Sequence, residues 1–158
     1  MCAGCHRTSW LGEPDQVGDD PETPAHDQKV TRSYYIHYPA HDPRETDPHY
    51  GAFEAFRRAT KDTAKCHMAE ATGDSSHCQG GLELHHARIE FALQNGVDFE
   101  LLAKDFPSLK DPSQINAWIE SPENLRWYCE FHHRGHGGVH VAAAADFEAS
   151  FYVKGLLT

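Results

Sequence analysis

The sequence predicts a small α+β domain built around two short strands, and three observations lead there. Leu82 and Leu84 alternate with Glu83, the two-residue period of a strand, and Leu125 to Tyr128 reads as a second short strand. Between and around these strands, apolar residues recur at three- and four-residue spacing, the period of helices. The 158 residues include 13 His and 5 Cys, and close Cys and His pairs sit beside both strands. A chain of this length makes about one domain and can bury about two-thirds of its unfolded surface.

Residues 1–33 read as a flexible, disordered acidic tail. Pro14, Pro21 and Pro24 interrupt it, and few large apolar residues follow Trp10 and Leu11, so burial cannot offset the entropy of ordering it. Cys2, Cys5 and His6 form a CxxCH cluster, half a zinc site on its own, and read as exposed thiols. Residues 34–158 form the predicted domain. Tyr34, Ile36 and Tyr38 alternate as a short strand, and Pro39, Pro43 and Pro48 keep the next stretch extended or turning. Asp47-Pro48 starts a helix over Tyr50–Lys65, with Phe53, Phe56, Ala59, Thr60 and Thr63 at helical spacing. Arg57, Arg58, Lys61 and Lys65 line the same helix, either as a solvated face or as a contact for DNA phosphates.

Gly73-Asp74 and Gly80-Gly81 mark turns before the first strand, which runs into His85-His86. Residues 87–95 read as a helix closed by Gly96. Asp98 caps a short helix that ends before Pro107. Asp111-Pro112 begins another, with Ile115, Trp118 and Ile119 on one face. Ser121 to Asn124 is a turn into the second strand. The last helix is expected within Val139 to Val153, with Phe147 and Phe151 spaced for packing.

The net charge is −10, from 14 basic and 24 acidic residues. This excludes nucleic-acid binding through a uniformly basic surface, but not through a local or metal-bridged site. No stretch approaches the roughly 20 apolar residues of a membrane span, so no membrane partner is expected. The opening MCAGCHRTSW has no apolar core of a secretory signal, and the cytosol is the expected compartment. There, Cys beside His more often binds metal than forms disulfides, and an odd Cys count agrees.

Metal ligation needs lone pairs from Cys sulfur or His nitrogen converging on one point. Cys66 and Cys78 flank a Gly-containing turn, and Cys129 and His132 stand at CxxH spacing, together the donor set of a structural zinc. His67 and His77 lie beside the first two cysteines and could substitute. His85, His86, His133, His136 and His140 remain. Adjacent residues on a strand point to opposite faces, so one of His85 and His86 can ligate a metal while the other faces a substrate. Such a division serves phosphodiester hydrolysis: a divalent ion steadies the phosphate, and a neutral imidazole, of reference pKa about 6.5, takes a proton from water.

LELHHA, SPENL and CEFHHRGHGGVH, in the order His, Asn, His, resemble the three parts of the HNH endonucleases, the ββα-metal nucleases. The flanks YYIHYPAHDPRETDPHYGAFEAFRR and HHARIEFALQNGVDFELL are similar to HNH proteins of actinobacteriophages. The resemblance implies an α+β fold with a ββα-metal HNH core and zinc knuckle within residues 64–142, surrounded by additional helices. It implies a metal-dependent DNA endonuclease, a phosphodiester hydrolase leaving a 5′ phosphate and a 3′ hydroxyl. His86 matches the catalytic general base and His85 the metal ligand before it. Asn124 matches the middle Asn, which braces the loop between the strands and in some members touches the metal. His133 matches the first ligand of the last element. The final ligand is His136 or His140, with His140 preferred because the GGVH ending resembles the phage members. Gly135, Gly137 and Gly138 disfavour a regular helix there, and His132 departs from the common CxxCH knuckle. The implied cofactors are a divalent Mg, Mn, Ni or Zn ion at the active site and a structural Zn at Cys66, Cys78, Cys129 and His132. The implied partners are DNA and phage terminase subunits, in the cytoplasm of a bacterial host. Arg88, Arg126 and Arg134 stand near enough to hold phosphates or to be ordinary surface residues. Two other readings compete: a non-catalytic zinc module that binds DNA or protein, and a metallohydrolase of small phosphoesters.

Overall fold

A computed structural model describes residues 37–144 continuously, with 24, 25, 27–29, 31 and Phe147 besides. The chain divides into two compact units, Met1–Arg32 and Ser33–Thr158. The expectations for the tail, for Cys2, Cys5 and His6, for a strand at Tyr34–Tyr38 and for most of the last helix fall largely outside the described residues.

The second unit is a mixture of short helices and one two-stranded antiparallel sheet. β1 is Leu82–His86 and β2 is Leu125–Cys129, with Leu82 opposite Cys129 and His86 opposite Leu125. Both strands lie where the sequence reading puts them. α5, Glu130–Arg134, follows β2 directly.

α1 is Tyr50–Thr60, shorter than expected. Beyond it, Thr63 N–H turns back to the Thr60 carbonyl at 3.1 Å, and Asp62 and the β-branched threonines are weak helix formers. Phe53 is its buried residue, and Trp127 Nε1 donates to Thr60 Oγ1 at 2.9 Å, tying the helix to β2. The basic stripe is partly neutralised: Glu54 accepts from Arg57 at 2.9 Å and lies 3.8 Å from Arg58.

α2, His67–Thr72, is a six-residue helix to which the sequence reading assigns no element. Gly73 closes it at φ 71°, the left-handed conformation that favours glycine. Residues 87–89 are not helical, contrary to expectation; a 3-10 turn occupies Phe91–Gly96 instead. The reason is Asn124, whose Nδ2 donates to the Ile89 carbonyl at 2.9 Å and so takes an acceptor that a helix would need.

α3, Phe99–Asp105, and α4, Ile115–Ile119, form as their caps predict. Asp98 accepts from Leu101 N–H at 3.1 Å. Asp111 and Gln114 make a reciprocal capping box, and a 3-10 turn over Pro112–Gln114 leads into α4. Leu109, Ile115, Trp118 and Ile119 form a core of their own with Phe99, Leu102 and Phe106. A second core joins Cys66, Met68, Tyr128, Cys129, Phe131 and Phe147. Among the described residues no helix is long and apolar enough to cross a membrane.

Candidate functional site

Four elements bring the first donor set together. Cys66 stands at the start of α2, Cys78 in the turn before β1, Cys129 at the end of β2, and His132 in α5. His132 Nδ1 lies 3.4 Å from the Cys66 sulfur, 3.7 Å from Cys78 and 3.2 Å from Cys129. All four donor atoms lie within 4.8 Å of one another. His67 and His77 are not in the group; the His67 ring instead meets the edge of Tyr128. The backbone builds this closeness. Glu130 N–H donates to the Gly81 carbonyl at 2.9 Å and Phe131 N–H to Gln79 at 3.2 Å, drawing the Cys78 turn onto α5. Gly80 permits it, at φ 74° and with a Cβ that would fall 2.6 Å from that of Glu130.

The charge balance of this group suits a cation. Burial, then the neighbouring Cys66 and Cys129, push the Cys78 thiol up to about 12. Burial also opposes ionisation of Cys129, but the backbone N–H groups of His132 and Gln79 outweigh it and favour the thiolate. Burial, with His77 nearby, keeps His132 neutral, as a ligand must be. Adjacent sulfurs repel as thiolates unless a cation sits among them. Three sulfurs and one neutral imidazole fit zinc, so this group could hold a zinc ion.

The second donor set is His85, His133 and His140, again within 4.8 Å of one another. His133 Nε2 lies 3.2 Å from His85 Nδ1 and 3.1 Å from His140 Nε2. Of the two candidates for the last ligand, His140 lies in this group, and His136 lies against the edge of Phe131 instead. Burial first, then the three neighbouring imidazoles, push His85 down to about 3, which leaves its lone pair available at neutral pH. His133 Nδ1 donates to Glu83 Oε2 at 2.6 Å, which fixes the ring and aims Nε2 at the cluster. That contact also holds the Glu83 carboxyl below its usual range.

His140 arrives by a fold-back after α5. Val139 N–H donates to His132 O at 3.0 Å and His140 N–H to His133 O at 3.1 Å. A Cβ on Gly138 would lie 2.7 Å from the His133 carbonyl, so only glycine allows the approach. Gly138→Ala is expected to cost about 1–3 kcal/mol of stability and to weaken metal binding at the three histidines about 10-fold. Thermal melts and metal titration check this.

His86 points to the other face of β1, as the strand's alternation requires. Its ring stacks on Phe53 with centroids 5.6 Å apart. Its Nε2 lies 3.0 Å from Glu120 Oε2, and Arg44 holds both oxygens of that carboxylate at 3.1 and 3.2 Å. The two faces meet at Glu90. One of its oxygens lies 3.7 Å from His86 Nδ1, and the other lies 3.7 Å from His85 Nδ1 and 3.9 Å from His140 Nε2.

No model of a known family, no curated protein and no solved structure matches the chain.

Asn124 is fully buried and acts through the backbone. Its Oδ1 accepts from the N–H groups of Arg88 and Ile89 at 2.9 and 3.1 Å, and its Nδ2 donates to the carbonyls of Ile89 and Ile119, both at 2.9 Å. Every hydrogen-bonding capacity of the amide is thus used, and Asn124 braces the segment after β1 against the end of α4. Asn124→Ala is expected to destabilise the domain by about 2–5 kcal/mol, because four backbone groups lose their partner together. Urea unfolding measures it.

The arginines near the site divide. Arg134 pairs with Glu83, Arg126 donates to the Pro122 and Leu125 carbonyls at 2.9 and 2.7 Å, and Arg88 is exposed. The sequence reading names none of Glu83, Glu90, Glu120 and Arg44 as a site residue. Glu83 carried a signal: it precedes His85 by two strand positions and so shares its face.

Proposed function

We propose that the chain is a metal-dependent DNA endonuclease of the HNH type. One observation carries the reading: three imidazoles converge from β1, α5 and the fold-back loop, while a fourth, His86, stands at the next strand position with Glu90 between them. The succession of β1, β2 and α5, the bracing by Asn124 and the zinc-fitting cysteine group agree with the family's pattern. His85, His133 and His140 would hold a divalent ion, Mg, Mn, Ni or Zn. When bound, that ion supplies Lewis-acid stabilisation of the pentacovalent phosphate and the departing 3′ oxygen. His86 takes the proton of the attacking water. Glu83 holds His133 in the orientation that ligation needs. Exposed Arg88, with Lys61 and Lys65 of the stripe, offers positive charge to flanking phosphates, and such contacts carry little sequence information. Phage terminase subunits as partners and the cytoplasm of a bacterial host as location follow from the resemblance alone.

The test is a supercoiled-plasmid assay with each divalent ion, alongside metal counting. The endonuclease gives nicked or linear DNA, stopped by chelator, and binds a second ion beyond the zinc. A protein with one tightly held zinc and no cleavage under any ion would instead be a binding module for DNA or protein.

A further inference from the structure

We infer that the pair of half-buried Arg44 and buried Glu120 sets the tautomer of His86, keeping the proton on Nε2 and presenting Nδ1 as the lone pair that takes the proton of water. The catalytic half of this rests on the endonuclease reading; the tautomer half does not. Glu120 caps the end of α4 and is 1% exposed, and Arg44 lies in a 3-10 turn ahead of α1. Neither belongs to a motif around the histidines. Arg44 Nε donates to one carboxylate oxygen at 3.2 Å and Nη2 to the other at 3.1 Å, and the guanidinium lies 4.0 Å over the Phe53 ring. That same Phe53 ring stacks on His86. The carboxylate therefore cannot turn, and neither can the imidazole.

An ionised carboxylate only accepts hydrogen bonds. Burial alone would raise the Glu120 pKa, but the contacts from His86 and Arg44 outweigh it and hold the group ionised. Two groups reach His86 Nε2: Glu120 Oε2 at 3.0 Å and Arg44 Nη2 at 3.5 Å. The shorter contact is to the acceptor, and Arg44 Nη2 already donates to that same oxygen at 3.1 Å, so Nε2 carries the hydrogen. On the opposite side of the ring, Nδ1 faces only the acceptor Glu90, at 3.7 Å. Among the described residues no donor competes for its lone pair, and it points toward the side where Glu90 approaches the three-histidine group. Glu120 is thus a positioning residue that acts through His86, and Arg44 fixes Glu120.

Glu120→Gln reads this out. With its oxygen kept toward Arg44 Nε, the glutamine would turn its amide N–H toward His86 Nε2 and displace Arg44 Nη2, which donates to Glu120 Oε2 in the wild type. The imidazole would answer by accepting at Nε2 and carrying its hydrogen on Nδ1, which removes the base. The experiment uses the full chain loaded with zinc and magnesium and labelled with ¹⁵N-histidine. Two-bond ¹H–¹⁵N spectra assign the His86 tautomer, identified by its absence from His86→Ala, and plasmid cleavage is measured in parallel. The wild type is expected to show the Nε2–H form. E120Q is expected to shift the hydrogen to Nδ1 and to lower kcat by about 10²–10⁴-fold, with KM for plasmid within about 2-fold and metal content unchanged. A wild-type spectrum showing the Nδ1–H form overturns the inference, whether or not E120Q folds. So does an E120Q protein that keeps both the Nε2–H form and wild-type kcat. Absence of cleavage by the wild type under every divalent ion ends the endonuclease reading instead, while the spectra still decide the tautomer.

Discussion

His86→Ala is expected to lower plasmid cleavage by about 10²–10⁴-fold, the usual contribution of a positioned general base. The imidazole is the one member of the histidine group that faces away from the other three, toward Phe53 and Glu120. Its loss should therefore leave both metal groups intact. The variant keeps the Arg44–Glu120 pair, so the buried carboxylate retains its charge partner and the domain stays folded. Cleavage rate, melting temperature and bound metal are measured on one preparation. Full cleavage by a clean His86→Ala sample removes the assignment of the base. Loss of metal together with cleavage would mean that His86 belongs to the ligand set.

The other large effect is on folding. Cys129→Ser is expected to abolish zinc binding at the cysteine group and with it the cooperative melt of the domain. Structural zinc contributes about 10–16 kcal/mol of apparent binding free energy, as much as the whole stability of an ordinary domain, about 5–15 kcal/mol. Cys129 also terminates β2, opens α5 and sits in the core with Tyr128 and Phe131, so its loss reaches both strands. Circular dichroism and zinc counting by mass spectrometry read the outcome. A Cys129→Ser protein that melts like the wild type would show that these sulfurs pack as ordinary core atoms.

What the sequence discloses here follows the range of the interactions. The strands, the Asp98 and Asp111 caps and the CxxH spacing are written in adjacent residues, and the structure has all of them. The helix expected over 87–95 fails because its backbone is claimed by Asn124, 35 and 36 positions further along the chain. α2 has only six residues, too few for a periodic pattern to register, although Gly73 was a stop signal. The choice between His136 and His140 depended on the path after α5, which the close approach of Gly138 to His133 determines. Glu120 and Arg44 are 76 positions apart and join no local motif, so no reading of spacing could have paired them with each other or with His86.

The two strands are neighbours in space but are separated in sequence by all of residues 87–124, which carry a core of their own. One cysteine pair precedes that excursion, and Cys129 with His132 follows it. A bound ion would therefore act as a clasp at the root of a long loop. The entropy of closing such a loop rises only by about 0.6 kcal/mol for each doubling of its length. The outer reach of the excursion, around α3, is thus free to grow or be exchanged. Its returning end is not, because Glu120 and Asn124 are both held there. Changes at the tip would leave the two donor groups at the root in place.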